Sequence, residues 1–404
     1  MIDNDLWTPS QVAGRTFAMG CVSLEVTQRC NLDCSLCYLS DMAEAVHDLP
    51  LTEVLRRINM IADQFGPGTN VQISGGDPTL RRPDDLVAIT ARIAERKMRP
   101  ALFTNGIKAT RDLLEKLAAA GLLDVAFHVD LTQERKGYES EQALNPVRLD
   151  YIRRAKGLGL RILFNTTVYD GNVDQMPDLV RFFVDHADDI RLASFQLQAD
   201  TGRGVHRAGG AIVSQERMMQ DINSATGLDL DFEMPRIGHP RCNKYTGVLV
   251  SNRQCVPLFD DHKLFAGLFE AGAKRQSLWH KSRVLAVLAM ALGRPRLTVR
   301  TLFWLARKLW ALRAGLWRTG SVTKLSFFIH NFMDAETLEE DRCASCVFMV
   351  ASRDGPISMC VHNAKRDRYV LAPVHLKDGG IWDPLSGRER PAGSINTDDQ
   401  ARPE

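Results

Sequence analysis

The chain has 404 residues, of which 45% are hydrophobic, so it can bury one large core or two ordinary ones. The formal net charge is only +2, and the nine cysteines are an odd number grouped at metal-ligand spacings, which disfavours a secreted disulfide-bonded protein. No stretch reaches the ~18 uncharged apolar residues of a membrane span. The polar start MIDNDLWTPS predicts no secretory signal, so a reducing cytoplasm is expected.

The first two hundred residues alternate strand-like apolar runs with helical patterns. Strands are predicted at 22–27, 70–74, 101–104, 124–129, 161–168 and 191–197, with helices between them at 52–65, 83–97, 110–120, 146–158 and 176–186. Strands separated by single helices indicate βαβ units and a parallel sheet. In barrels built this way the functional side chains lie at the carboxyl ends of the strands. We therefore expect an α/β fold with its site at that edge.

A cysteine-rich loop follows the first predicted strand. Residues 30–37 read CNLDCSLC, which places Cys30, Cys34 and Cys37 at the spacing C-x3-C-x2-C. Thiolates are the usual ligands of iron–sulfur clusters, and a four-iron cluster normally takes four of them. Three ligands leave one iron open to a small molecule. A structural zinc loop is the alternative, but zinc favours four Cys or His ligands, and the nearest histidine is His47.

The next predicted strands end in glycine-rich or polar residues. The second ends in Ser-Gly-Gly-Asp-Pro at 74–78 and the third in Thr-Asn-Gly at 104–106. Two adjacent glycines let the backbone approach a ligand closely, although such turns are also ordinary chain reversals. Further candidates at strand ends are His128, Asp130, Asn165 and Gln196, each of which could instead be a structural hydrogen-bonding residue.

A second cysteine set lies near the carboxyl terminus. Cys343, Cys346 and Cys360 have the spacing C-x2-C-x13-C, and Asp354-Gly355 between them predicts a hairpin. The set suits an iron–sulfur cluster, with a zinc site as the alternative. Cys242 is the first candidate for a fourth ligand and Cys255 the second, although both could be ordinary buried cysteines.

Residues 271–333 carry twelve Lys or Arg and no acidic residue, so the rest of the chain has a charge of 2 − 12 = −10. Helices are predicted at 277–292 and 297–317. In the second, one apolar face holds Leu302, Leu305, Leu309, Leu312 and Leu316, widened by Phe303, Trp310 and Trp317, with Arg300, Arg307 and Arg318 opposite. Such a helix suits the plane of an anionic membrane. The alternatives are a core-packing helix pair with a solvated basic face, and a site for nucleic acid or a partner protein.

The loop CNLDCSLCY, the Gly-Gly-Asp-Pro turn and the Thr-Asn-Gly turn closely resemble the radical SAM superfamily, although Asp77 replaces the commoner Glu. The resemblance implies a partial (βα)6 TIM-like barrel over residues 21–205. It also implies that Cys30, Cys34 and Cys37 hold a [4Fe–4S] cluster whose open iron binds S-adenosylmethionine. A flavodoxin- or ferredoxin-type partner would supply the electron that yields a 5′-deoxyadenosyl radical. The cofactor-binding residues would be Tyr38, Gly75, Gly76, Asp77, Thr104, Asn105, His128, Asp130, Asn165 and Gln196.

The second cysteine set resembles the auxiliary cluster of the SPASM/twitch group, which implies a second [4Fe–4S] cluster in a smaller α+β domain at 334–385. The other expected segments are an N-terminal segment 1–20, a connecting region 206–270, the basic helices 271–333 and a disordered tail 386–404. The stretches at 238–261 and 328–335 resemble the tetraether-lipid synthase group, whose members join lipid chains carbon to carbon. No extra metal-binding segment is expected before the core, in contrast to that group.

The first functional hypothesis is therefore a radical SAM enzyme that acts on a lipid or other hydrophobic substrate at the inner face of the cell membrane. The second is a radical SAM enzyme that modifies a peptide or a small biosynthetic precursor, as the molybdenum-cofactor cyclase does. The third is a non-catalytic metal-binding module for RNA or a partner protein. The Gly-Gly-Asp-Pro turn disfavours the third, because a zinc module has no use for it, and no DNA partner is expected.

Overall fold

A computed structural model describes residues 20–207, 212–273 and 294–391 of the chain. Nearly all of the expected N-terminal segment, the predicted helix 277–292 and the tail from residue 392 onward lie outside the described residues.

The first half alternates strands and helices, as the sequence predicts. Its elements are β1 Cys21–Thr27, α1 Leu51–Phe65, β2 Asn70–Gly75, α2 Pro83–Glu95, β3 Arg99–Thr104, α3 Arg111–Ala119, β4 Asp124–His128, α4 Asn145–Ala155, β5 Arg161–Val168, α5 Met176–Asp185 and β6 Ile190–Leu197. In α1, the fully buried Val54, Ile58 and Ile61 recur at four- and three-residue steps, so one face of the helix packs on the sheet. All seven residues of β1 are buried, as is typical of parallel sheets covered on both faces.

The second half adds helices and both edges of the sheet. Its elements are α6 Gln215–Thr226, β7 Asn243–Ser251, β8 Gln254–Pro257, α7 His262–Ala273, α8 Pro295–Ala311, α9 Arg313–Thr319, β9 Thr323–Asn331, α10 Glu340–Ala344, β10 Phe348–Ala351, β11 Pro356–Ser358, α11 Met359–Ala364, α12 Arg366–Val370, β12 Val374–His375, β13 Ile381–Asp383 and β14 Arg388–Arg390. The strand β14 lies in the segment expected to be a disordered tail, and Arg390 there pairs with Asp383 at 2.6 Å.

One sheet of eleven strands forms the core, in the order β11-β10-β1-β2-β3-β4-β5-β6-β9-β7-β8. The strands β1 to β6 are parallel to one another, and β10 on one side and β9 on the other continue the parallel run. The hairpin strand β11 and the pair β7–β8 are antiparallel edges. The expected α/β fold with a parallel barrel-like core is confirmed.

The sheet is curved, so that side chains of β9, near one edge, contact side chains of β10, near the other. The ring centroids of Phe328 on β9 and Phe348 on β10 are 5.8 Å apart, although the two strands are not neighbours in the sheet. These rings form a small apolar cluster with Cys21 and Val347. Aromatic contacts therefore close the gap between the flanks and leave a lumen inside the curved sheet.

Two features of the basic region 271–333 differ from the prediction of helices alone. First, β9 lies within it, and its residues Phe327 and Ile329 are fully buried on the helix-covered face of the sheet. Second, the helix expected at 297–317 is broken at Leu312 into α8 and α9. The break lets α9 lie close against β7, where a Cβ on Gly315 would overlap the Ser251 backbone.

The predicted apolar face of this helix is only partly exposed. Leu312 is fully buried, whereas Phe303, Trp310 and Trp317 are 72%, 70% and 90% exposed. Thr301 and Lys308 are buried on the side that packs toward α7. None of the helices described by the structure is long and apolar enough to span a membrane.

Candidate active site

The three cysteines of the first loop lie at the carboxyl edge of the parallel strands. Cys30, Cys34 and Cys37 are all partly buried, and they are close enough for their charges to interact. The Ser35 amide donates to the Thr132 carbonyl at 2.8 Å, which fastens the loop to the segment after β4. Within the described residues, no three Cys, His, Asp or Glu side chains are grouped closely enough to hold a single metal ion. A four-iron cluster does not require such a group, because each thiolate binds a different iron.

Burial raises the pKa of the Cys34 thiol far above its usual range, and the charge of Cys37 adds to the effect. Burial also raises the pKa of Cys30. Only thiolates ligate metals, so iron binding at this loop has to displace protons.

Two side chains from other parts of the barrel donate to the cysteine sulfurs. Asn105 Nδ2 is 3.9 Å from Cys30 Sγ, and Arg203 Nη2 is 3.6 Å from Cys37 Sγ. The Nε atom of Arg203 is buried and has no hydrogen-bond partner among the described residues. Donors aimed at sulfur suit an anionic iron–sulfur cluster, whose charge they offset. The residues present therefore fit the cluster that the loop implies.

The Gly-Gly turn after β2 packs against the backbone that leads into the cysteine loop. The amides of Gly76 and Asp77 donate to the carbonyls of Thr27 and Arg29 at 2.9 and 2.8 Å. A Cβ on Gly75 would overlap the Thr27 carbonyl, and one on Gly76 would overlap that of Arg29. These glycines are therefore needed for the close approach of the neighbouring chain, and their role in cofactor binding stays a prediction.

Asp77 and Thr104, which are predicted as cofactor contacts, connect the Gly-Gly-Asp-Pro turn after β2 to the Thr-Asn-Gly turn after β3. The fully buried Asp77 carboxylate accepts from Thr104 Oγ1 at 2.9 Å and from the Asn105 amide at 2.8 Å. It also accepts from the Thr79 amide at 2.9 Å. Both oxygens are engaged within the protein, so Asp77 positions the Asn105 turn beside the cysteines.

Tyr38 lies between the cysteine loop and the C-terminal helices. Its hydroxyl donates to the Gly75 carbonyl at 2.7 Å, and the Arg366 guanidinium lies 4.6 Å from its ring centroid. Arg366 also donates to both oxygens of Glu25 on β1, each at 2.9 Å. The sequence did not indicate this network, because Glu25 and Arg366 are 341 positions apart.

The predicted residues of β4 and β5 form a second polar group at the same edge. His128 Nε2 is 2.6 Å from the buried Asp130 carboxylate, and Asn165 Nδ2 is 2.9 Å from His128 Nδ1. The Thr167 amide donates to Asp130 at 2.7 Å. Burial opposes ionisation of Asp130, but the adjacent His128 lowers its pKa, so the carboxylate is charged.

Gln196 is separate from this group and faces the lumen. The cavity there measures about 330 Å³, and its lining is mainly apolar. Its polar lining includes Gln72, Asn165, Gln196 and His330. The last of these carries no expected role in the sequence, where nothing distinguishes a lumen histidine from a core histidine.

The second cysteine set surrounds another, smaller cavity beyond the lumen. Cys242, Cys346 and Cys360 line it, and Cys343 is near enough to Cys346 for their charges to interact. Arg342 Nε donates to Cys242 Sγ at 3.2 Å. Burial, reinforced by the charge of Cys346, raises the pKa of Cys360 to about 12.

Of the two candidates for a fourth ligand, the structure brings only Cys242 to this cavity. Cys255 lies on β8, where its sulfur is 3.6 Å from the Thr226 carbonyl and its side chain packs against the main core. The choice of Cys242 stays a prediction, but Cys255 is too distant from the set to compete with it.

Comparison with known proteins gives a family match for the part of the chain that holds the first cysteine loop. Residues 24–183 match the family model described as the Radical SAM superfamily. The chain is 27% identical over 188 residues to the 7,8-dihydro-6-hydroxymethylpterin dimethyltransferase of Methanocaldococcus jannaschii, covering 45% of this chain and 37% of that protein. It is 29% identical over 203 residues to the PqqA peptide cyclase of Methylorubrum populi, covering 49% of each. The chain therefore spans half or less of the length of these relatives.

A crystal structure of Streptococcus suis SuiB bound to precursor peptide SuiA aligns over 54% of this chain and 48% of that one, with 16% identity and a TM-score of 0.40. None of these comparisons supports the narrower resemblance to tetraether-lipid synthases, which stays a prediction. The match over residues 24–183, with the cysteine loop at the carboxyl edge of the barrel it covers, shows that this part of the chain is a Radical SAM domain.

Proposed function

We propose that this protein is a radical SAM enzyme that activates a C–H bond of a peptide or a small biosynthetic precursor. The observation that carries the proposal is the loop of Cys30, Cys34 and Cys37, which lies at the carboxyl edge of the parallel strands and receives donors from Asn105 and Arg203. A [4Fe–4S] cluster bound there would supply the electron that cleaves S-adenosylmethionine to a 5′-deoxyadenosyl radical. The identity of the reducing partner stays a prediction.

The size of the lumen supports a small substrate. A cavity of about 330 Å³ is at the lower end of the roughly 300–1,000 Å³ typical of small-molecule sites, so it suits a small molecule or one peptide side chain. The curated relatives agree with this size, since one is named for a peptide and the other for a pterin. These two arguments place the peptide or small-molecule hypothesis ahead of the lipid hypothesis.

We further propose that Cys242, Cys343, Cys346 and Cys360 hold an auxiliary [4Fe–4S] cluster. Its support is that three of these thiols, from distant positions in the chain, line one small cavity and that the fourth, Cys343, lies near Cys346. Arg342 would offset the negative charge of such a cluster from its contact with Cys242.

A lipid substrate at an anionic membrane is the second candidate, and the exposed rings of α8 and α9 are the observation that favours it. Phe303, Trp310 and Trp317 project from helices that carry no acidic residue. Arg313 lies over the Trp310 ring at 4.5 Å, and exposed cations beside aromatic rings suit a layer of anionic headgroups.

An assay with fractionated extract from the source cells distinguishes a peptide or small-molecule substrate from a lipid substrate. The anaerobically reconstituted protein is given S-adenosylmethionine, dithionite and a peptide, a polar small-molecule or a lipid fraction, and 5′-deoxyadenosine is measured. A bound substrate that reacts with the radical should raise its yield above the level without substrate. We expect stimulation by the peptide or small-molecule fraction. Stimulation by the lipid fraction alone would favour the second candidate and contradict the first.

A further inference from the structure

A buried histidine lies in the upper part of the lumen, the part nearest the carboxyl edge of the parallel strands. Along β9 the side chains alternate, so Phe327 and Ile329 pack under the helices while Phe328 and His330 line the cavity. In the register of the sheet, His330 is level with Gln196 of β6, near the carboxyl edge where the cysteine loop lies. Only 8% of the His330 surface is exposed.

The hydrogen bonds of Asn243 fix the tautomer of this histidine. Asn243 Nδ2 donates to the Ile237 carbonyl at 2.9 Å, so its Oδ1 is the atom that faces His330 Nδ1 at 3.0 Å. An amide oxygen can only accept, and Nδ1 must therefore carry the proton. Burial lowers the pKa of His330 to about 3, so the ring is neutral.

The other ring nitrogen, Nε2, is consequently an unprotonated acceptor. It has no hydrogen-bond partner among the described residues, so it is free to accept a bond from a group in the cavity. Aromatic rings surround much of the imidazole. Phe328 is 4.0 Å away between centroids, Phe348 stands edge-on at 5.1 Å, and Phe332 stacks at 5.7 Å with an interplanar angle of 7°.

We propose that the upper lumen binds a planar, mainly apolar group that carries one N–H or O–H donor, such as a phenol or an indole, and that His330 Nε2 accepts its hydrogen bond. The ring walls favour a flat group through offset and edge-to-face contacts. A neutral acceptor among aromatic rings disfavours a charged group, which would lose its hydration without gaining a counter-charge. This assignment of substrate class rests on the radical SAM function proposed above.

Two probes of nearly equal shape test the assignment. p-Cresol carries a phenolic donor, and 4-fluorotoluene has fluorine in its place. Both are titrated into the full-length reconstituted protein, and binding is measured by calorimetry for the first and by ¹⁹F NMR for the second. We expect p-cresol to bind at least about tenfold more tightly, the equivalent of one well-made hydrogen bond. Equal binding of the two probes, or binding of neither, would overturn the proposal.

Variants of His330 and a ¹⁵N NMR signal test whether His330 accepts the hydrogen bond. His330→Phe should abolish the preference for p-cresol, whereas His330→Gln, which keeps an acceptor near the Nε2 position, should retain part of it. Should His330→Phe fail to fold, ¹⁵N-histidine-labelled wild-type protein gives the same answer, because p-cresol but not 4-fluorotoluene should shift one unprotonated Nε2 resonance. Neither probe needs S-adenosylmethionine or a reductant. Failure here with normal cofactor cleavage would therefore overturn the subsite and leave the proposed function intact.

Discussion

Arg203 shows how one residue far along the chain completes a site that a local motif begins. The loop that carries it follows β6 and is bonded to the cysteine loop through its backbone. The Arg203 amide donates to the Leu39 carbonyl at 2.9 Å, and the Gly204 amide donates to the Cys37 carbonyl at 3.0 Å. Gly202 has φ +54, and a Cβ there would overlap the Tyr38 carbonyl. The guanidinium is thereby fixed beside a ligand sulfur.

Replacing this charge should make the catalytic cluster harder to reduce. Hydrogen bonds and positive charge near the sulfurs stabilise the reduced cluster, which is the more negative form. Arg203→Gln should lower the midpoint potential, and a loss of ~1.4 kcal/mol corresponds to about 59 mV for one electron. The measurement is a redox titration followed by electron paramagnetic resonance. Arg203→Lys should recover part of the shift, and the surface variant Arg217→Gln should show none. An unchanged potential in Arg203→Gln at equal iron content would contradict this role.

At the scale of single residues, the sequence reveals groups that are close along the chain. The spacing of Cys30, Cys34 and Cys37 is such a pattern, because the chemistry needs all three in one loop. Arg203 contacts Cys37 across 166 positions, and Asn105 contacts Cys30 across 75. No local pattern marks such partners, so only the folded chain identifies them.

The cysteines of the second set come from several elements outside the first cysteine loop. The two sets can therefore be altered independently. The turn before β7 supplies Cys242, the end of α10 supplies Cys343, and α11 supplies Cys360. Cys343→Ala, Cys346→Ala and Cys360→Ala combined should lower bound iron to about half and leave cofactor cleavage partly intact, because the catalytic loop keeps its own ligands. Iron and sulfide analysis of anaerobically reconstituted protein gives the result.

Single variants distinguish the two candidates for the fourth ligand. Cys242→Ala should weaken or destabilise the auxiliary cluster, since its sulfur lies at the same cavity as Cys346 and Cys360. Cys255→Ala is the matched control and should keep the full iron content, because Cys255 packs against the main core instead. Stoichiometric zinc in place of the second cluster would contradict the assignment.

The hypothesis of membrane binding rests on the helices α8 and α9. Arginines there that form ion pairs within the protein are unsuitable for testing it. Arg300 pairs with Asp261 at 2.7 Å and Arg307 with Asp260 at 3.0 Å, so changing either would disturb the packing of α8. Arg313 and Arg318 are exposed and form no ion pair with any described residue. Both are therefore available to an anionic surface.

Vesicle co-sedimentation tests this surface. The wild-type protein should bind anionic vesicles at low salt and release them at high salt, since each exposed cation contributes ~1 kcal/mol at most and salt screens it. Arg313→Glu with Arg318→Glu should weaken binding, and so should Trp310→Ser. Arg153→Glu with Arg181→Glu, on the exposed sides of α4 and α5, changes the net charge by the same amount and serves as the control. Wild-type protein that stays in the supernatant would remove the main support for the lipid candidate.

At the scale of elements, periodicity predicts the βα units of the first half well. Each of those segments buries one continuous apolar pattern, and the pattern is visible locally. The strand β9 is missed because its apolar run adjoins long helical patterns of basic residues, and only its pairing with β6 and β7 makes it a strand. The turn from α8 to α9 is likewise set by close packing on β7.

In the molecule as a whole, the C-terminal region is joined to the barrel in large part through β1. The strand β10 pairs with β1, and Arg366 of α12 binds the buried Glu25 of β1. The catalytic loop and the auxiliary cysteines are thereby attached to the same strand. The expected separation into a core and a smaller C-terminal domain stays a prediction, whereas the shared sheet explains why sequence patterns alone could not place the boundary.

The Glu25–Arg366 pair should make stability depend on pH in acid. Burial opposes ionisation of Glu25, but Arg366 and His362 outweigh it and hold its pKa at about 2, below the usual 4.5. A carboxyl with a lowered pKa contributes stability that is complete above about pH 4.5 and lost as pH falls toward 2. The difference of 4.5 − 2 corresponds to stability on the order of 3 kcal/mol.

Urea unfolding of wild-type protein and Glu25→Gln at about pH 5.5 and about pH 3 measures this contribution. The wild-type protein should lose more unfolding free energy between the two values than the variant does, because the variant has no carboxyl to protonate at that position. Glu95→Gln, on the exposed end of α2, is the control. Equal pH dependence in wild type and Glu25→Gln would show that the pair contributes no charge-dependent stability.

The proposed function requires the loop of Cys30, Cys34 and Cys37 to perform radical SAM chemistry. Its most direct test is the reductive cleavage of S-adenosylmethionine by anaerobically reconstituted protein, with 5′-deoxyadenosine as the product measured. Wild-type protein should bind two four-iron clusters and form this product when reduced. Cys30→Ala, Cys34→Ala and Cys37→Ala combined should form none, because the iron that binds the cofactor is lost. Cleavage retained in that variant would contradict the account.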